Sequence, residues 1–108
     1  MRILFDQGTP TAIRNALPEH DVRTANQQGR STLSNGELLR VAEEAGFHVL
    51  LTTDTGLPQQ QNLKGRALAV VILNKNRGVL IKRKLKEIAA AVNSAKPGNY
   101  SVVEIAEP

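Results

Sequence analysis

Short apolar runs that stop on polar turns alternate along this chain with stretches whose apolar residues fall three or four positions apart. Arg2 to Phe5 (RILF) is the first run, and it stops on Asp6. Thr9-Pro10 reads as an N-cap and first-turn pair for a helix carrying Ala12, Ile13, Ala16 and Leu17 as far as Pro18. Asp21 to Ala25 predicts a second strand, with Val22 its one strong strand former. Residues 26–33 read as a polar loop. Ser34 then opens a helix whose apolar stripe is Leu38, Leu39, Ala42 and Ala45, closed by Gly46. His48 to Thr53 is a third strand, and it too ends on an aspartate, Asp54. The segment TGLPQQQNLKGR has room for one helical turn, and Ala67 to Leu73 is the unbroken apolar run of a strand buried on both faces. Val79 to Asn93 repeats at helical spacing through Leu80, Ile81, Leu85, Ile88 and Val92; Pro97-Gly98 ends it, and Tyr100 to Ile105 is a last strand.

Strand–helix alternation of this kind predicts an α/β domain over residues 1–108, a three-layer structure around a mainly parallel five-stranded sheet. The predicted strand order is 2-1-3-4-5, with right-handed crossovers placing helices on both faces. Ligands of such sheets bind beyond the carboxyl ends of the strands, where the order reverses. Asp6 and Asp54 both fall there, on neighbouring strands about 5 Å apart.

Two carboxylates that close share either a proton or a cation. The chain has no cysteine, and neither His20 nor His48 falls at these strand ends. The donor set is therefore oxygen, which suits Mg²⁺ or Mn²⁺. Glu37, in the first turn of the second helix, is a third candidate acid; Ser34-x-x-Glu37 equally fits a capping box. Thr53, Gln7, Gln60, Gln61 and Asn62 are candidates to orient water or contact a sugar or phosphate, and Gly36 leaves room for close approach. Glu19, Asp21, Glu43 and Glu44 read as surface acids. For Asp6 itself the plain alternative is a carboxylate that satisfies backbone N–H groups in its turn.

Charge changes the picture further along. Residues 64–86 hold eight of the fourteen Lys and Arg residues and no acid: Lys64, Arg66, Lys75, Arg77, Lys82, Arg83, Lys84 and Lys86. That block predicts either a surface facing a polyanion such as RNA or a solvated helix face. Within it, Lys82 and Lys86 at i, i+4 are the pair able to face one ligand together. Phe5, Phe47 and Tyr100 are the only aromatics, which argues against base stacking as the main mode of nucleic-acid binding. With no membrane-length apolar run and no secretion-signal pattern at the N-terminus, a cytoplasmic location is expected.

The blocks ILFDQGTP, LSNGELLRVAEEAGFHVLLTTD and QQNLKGRALAVVIL, in that order, resemble a small bacterial family of PIN-like domains of unknown function, over nearly the whole chain. That family is related to the PIN-domain ribonucleases of type II toxin–antitoxin systems. The resemblance implies a Mg²⁺- or Mn²⁺-dependent nuclease hydrolysing RNA phosphodiesters, with Asp6, Glu37 and Asp54 as metal-binding and catalytic acids. It implies RNA and an antitoxin protein as partners; a second copy of the chain is a further candidate partner. Where PIN relatives often carry a further acid just after the third, this chain has Thr55-Gly56. A second class of reading is a catalytically silent PIN-like module that binds RNA or protein through the basic block. A receiver-like phosphoacceptor ranks last, because it wants an acid pair after the first strand and Gln7 follows Asp6 here.

Overall fold

The computed structural model describes residues 1–25, 35–75 and 77–105. Five strands, β1 (Arg2–Phe5), β2 (Asp21–Thr24), β3 (Val49–Thr52), β4 (Ala69–Leu73) and β5 (Tyr100–Val103), form one sheet in the order β2-β1-β3-β4-β5. Every neighbouring pair is parallel, so the fold class and strand order read from the alternation hold. A 3₁₀ helix (Thr11–Ala16) and helices α1 (Asn35–Glu44), α2 (Leu57–Gln60), α3 (Gly78–Lys82) and α4 (Leu85–Asn93) connect them. Among the described residues no helix is long and apolar enough to cross a membrane.

The two faces of the sheet are built by alternation. Register sets Ile3, Val49 and Ala69 side by side, and likewise Phe5, Leu51 and Val71. These residues pack against Ile13 of the 3₁₀ helix, Leu80 and Ile81 of α3, and Ile88 and Val92 of α4. Leu4, Leu50, Val70 and Ile72 point the other way, onto Leu38, Leu39 and Ala42 of α1 and Leu57 of α2. β4 is buried along its whole length, as its unbroken apolar run requires.

Handedness departs from expectation in one place. The β1–β2 connection runs towards the β2 edge over the α3–α4 face, while β2–β3 and β3–β4 run the opposite way over the α1–α2 face. Those three share one hand, the usual right hand of such units. The β4–β5 connection also runs towards the β5 edge, yet α3 and α4 lie on the same face as the 3₁₀ helix. It therefore has the opposite hand. One result is that no helix covers the α1–α2 face of β5 among the described residues, and Tyr100 and Val102 stand 53% and 48% exposed there.

Local corrections follow from tertiary contacts. Thr9 does not cap the first helix: Pro10 takes the N-cap position, without a side-chain bond. The Thr9 hydroxyl is buried and donates instead to the Leu51 carbonyl at 3.1 Å, pinning the turn after β1 to β3. The helix predicted over 79–93 is two helices. Arg83 and Lys84 tighten into i→i−3 bonds to Leu80 and Ile81 and interrupt it. Gly46 closes α1 as expected, at φ +83°, with Phe47 N–H bonded to the Ala42 carbonyl and Gly46 N–H to that of Glu43. Ser34, the first half of the predicted capping box, lies outside the described residues.

Candidate functional site

Asp6 immediately follows β1, and its N–H continues the ladder onto the Leu51 carbonyl at 2.9 Å. Side-chain alternation puts Asp6, Thr52 and Asp54 on the α1–α2 face at the carboxyl edge of the sheet. There Thr52, fully buried at the end of β3, joins the two aspartates. Its hydroxyl donates to Asp6 Oδ2 at 2.9 Å and accepts the Asp54 N–H at 3.1 Å. The hydroxyl proton is thereby committed to Asp6, which suits a carboxylate acting as acceptor.

Each aspartate also serves its own turn. Asp6 Oδ1 accepts Gln7 N–H at 2.8 Å, and Asp54 Oδ1 accepts Gly56 N–H at 2.9 Å. The Asp54 carbonyl accepts Leu57 N–H at 3.3 Å, leading the chain into α2. The plain reading of a strand that stops on an acid is thus part of the structure: both side chains organise the backbone that follows them. Neither role consumes all the acceptor capacity of a carboxylate, which has about four lone-pair sites.

Glu37 lies exposed in the first turn of α1. Because α1 returns the chain from the end of β2 to the start of β3, its first turn lies towards the same sheet edge as Asp6 and Asp54. Gly36 belongs to this turn rather than to a loop, and the Gln61 amide sits where a Cβ on Gly36 would come within 3.1 Å of Oε1. The start of α1 is therefore seated on the segment that follows Asp54 and α2. Among the described residues, however, no three His, Asp or Glu side chains close into one metal-holding group. Thr52 links the Asp6 carboxylate to the backbone N–H of Asp54, and Glu37 takes no part in that link.

An oxygen-only donor set at Asp6 and Asp54 still fits Mg²⁺ or Mn²⁺, which commonly take one or two protein carboxylates and complete their shell with water. Thr53 is one of several polar neighbours expected from the sequence, whereas the residue that bridges the two aspartates is Thr52. The signal lay in the parallel register. Asp6 follows Phe5, the partner of Leu51, so Thr52 is its lateral neighbour.

The basic positions do not form one surface. Lys64 and Arg66 precede β4 at the amino edge of the sheet, whereas Lys75 and Arg77 follow it at the carboxyl edge. Five buried residues in extended conformation separate them, roughly 16 Å of strand. Arg66 is held in a partly buried ion pair, with Nη1 3.1 Å from Glu43 Oε2. Glu43 Oε1 accepts Ala67 N–H at 2.7 Å, and that bond, with the Arg66 guanidinium, holds the Glu43 carboxyl below its ordinary pKa. Glu43 is thus a tie between α1 and the entry to β4, where the sequence suggested a surface acid. Lys82 and Lys86 are exposed on the α3–α4 side, but the break at Arg83-Lys84 places them on two helices, and the i, i+4 argument fails. No family model matches the chain, nor does any curated protein or solved structure.

Proposed function

We propose that the protein is a metal-dependent RNA phosphodiesterase whose reaction centre is the carboxyl edge of the sheet at Asp6 and Asp54. The observation that carries the reading is the Asp6–Thr52–Asp54 chain of hydrogen bonds at the point where the strand order reverses. Asp6 and Asp54 would hold Mg²⁺ or Mn²⁺, with Glu37 reaching the same edge from α1. When bound there, the ion would supply Lewis-acid polarisation of a phosphoryl oxygen and a lowered pKa for an attacking water. Thr52 keeps the Asp6 carboxylate oriented as an acceptor, and Gln7 N–H fixes its other oxygen. Lys75 and Arg77, in the connection that leaves β4 at this same edge, supply positive potential for an RNA backbone. A role as the toxin of a toxin–antitoxin pair, in the cytoplasm, belongs to this reading through the sequence resemblance.

A specific observation favours a second reading. Both aspartates spend an oxygen on backbone amides, as a purely structural pair would, and Thr55-Gly56 replaces the further acid of PIN relatives. On that reading the domain binds RNA or a protein without cutting. Incubating an end-labelled single-stranded RNA with the protein in Mn²⁺ separates the two. The nuclease reading expects cleavage that Asp6→Asn and Asp54→Asn each abolish while RNA is still bound. Binding without any cleavage in the wild type gives the second reading.

A further inference from the structure

The two edges of this sheet are built differently. At the β2 edge the strand reads Asp-Val-Arg-Thr, and Arg23 Nε bonds Asp21 Oδ1 at 2.8 Å, with Arg2 3.7 Å from the other Asp21 oxygen. Charged side chains of this kind keep an edge from pairing with another chain. At the opposite edge β5 reads Tyr-Ser-Val-Val, with no charge and no proline. Its bonds to β4 run through alternate residues, since Asn99 and Val103 give their carbonyls to Val70 and Asn74. By strand alternation the N–H and C=O groups of Tyr100, Val102 and Glu104 therefore point away from the sheet. Those same residues carry their side chains on the face that, among the described residues, the reversed β4–β5 crossover leaves without a helix.

We propose that this edge pairs with the β5 edge of a second copy of the chain, antiparallel and centred on Val102, joining two sheets into one. The register is self-complementary. A twofold axis at Val102 sets Val102 against its own copy and Tyr100 against Glu104 of the partner subunit. All of these are outward-pointing residues, so the pairing forms about six backbone hydrogen bonds. Charge agrees with the same register. Lys64 lines a cleft beside Tyr100, and the pairing brings Glu104 of the partner subunit to Tyr100 and hence to Lys64. The exposed Tyr100 and Val102 side chains then cover one another across the join.

Sedimentation and hydrogen exchange of the full chain test this together. A dimer of twice the 11.7 kDa chain mass is expected, and the amides of Tyr100, Val102 and Glu104 should gain protection as protein concentration rises. Val102→Lys sets two like charges directly opposite and should raise the dimer dissociation constant by roughly tenfold or more, with circular dichroism confirming the fold. Lys64→Glu and Glu104→Lys should each weaken the dimer, and the double variant should recover it. A chain that stays monomeric at all concentrations overturns the proposal. So does a dimer that ignores Val102→Lys, or one whose three outward amides exchange as fast as in the dilute protein.

Discussion

The Thr52 hydroxyl lies 2.9 Å from Asp6 Oδ2, across the gap between two parallel strands and away from all solvent on the threonine side. One buried oxygen thereby serves both candidate acids, donating to the first and accepting from the backbone of the second.

Replacing Thr52 with valine keeps the shape and removes that oxygen. Asp6 loses a donor and the Asp54 N–H loses its acceptor, so Thr52→Val should cost about 1–3 kcal/mol in denaturant unfolding. Thr52→Ser keeps the hydroxyl and should recover most of the hydrogen-bond part. Equal losses in the two variants would mean that the methyl group, rather than the bridge, carries the effect.

A cation that binds only the folded site adds to its stability. At a hundred times the dissociation constant, Mn²⁺ should stabilise the wild type by about 2.7 kcal/mol. Asp6→Asn and Asp54→Asn should each remove most of that gain. Glu37→Gln should remove part of it if Glu37 reaches the ion, and none if Glu37 serves only its own helix. Thermal unfolding with and without Mn²⁺ reads all three, and an unchanged wild-type midpoint argues against a metal at this edge.

The strands and the two terminal aspartates were legible because each depends on local pattern, and the strand order because short right-handed crossovers leave few arrangements of alternating strands and helices. β4 announces itself by the unbroken apolar run from Ala67 to Leu73, and Asp6 and Asp54 by the abrupt end of apolar runs. What was not legible depends on the partner across space. The spacing of Ile81, Leu85, Ile88 and Val92 is ideal for one helix, so nothing in it marks the turn at Arg83-Lys84. Helical periodicity fixes which side of a helix is buried, but not which face of the sheet it meets. The reversed β4–β5 crossover therefore leaves no trace in the pattern. Thr9 looked like a cap because its neighbours fit one, and only the proximity of the Leu51 carbonyl shows where its hydroxyl goes.

Glu43 offers a pH-dependent check on the tie between α1 and β4. Its pKa is lowered in the folded chain, first by the Ala67 N–H and then by Arg66. A depressed carboxyl contributes stability that is present above the unfolded value and lost as pH falls through the folded one. Glu43→Gln keeps an oxygen for Ala67 and removes the charge. Wild type should therefore exceed Glu43→Gln in stability at neutral pH, with the gap closing in acid. Asp21, lowered mainly by its bond from Arg23, titrates in the same region in both proteins and cancels from the difference. A gap that does not change with pH would assign the effect to packing.

The separation of the basic residues makes the RNA reading specific about which cations matter. Counterions released from single-stranded RNA set the slope of log affinity against log salt, at about 0.7 for each phosphate neutralised. Lys75 and Arg77 sit at the edge that holds Asp6 and Asp54, so reversing both to glutamate should flatten the slope by about 1.4 and weaken binding across RNA sequences. Lys64 lies at the other end of β4, and Lys64→Glu should leave the slope close to the wild type. Arg66 is committed to Glu43, so Arg66→Gln should appear in unfolding measurements before it appears in RNA binding. Lys82→Glu and Lys86→Glu probe the α3–α4 side of the sheet, away from the face carrying the two aspartates. If RNA lies along the carboxyl edge, neither should approach the effect of the Lys75 and Arg77 pair. Should Lys82 and Lys86 dominate the salt slope instead, RNA rests on the α3–α4 side of the sheet, across from the face carrying Asp6 and Asp54, and the phosphodiesterase reading loses its substrate path.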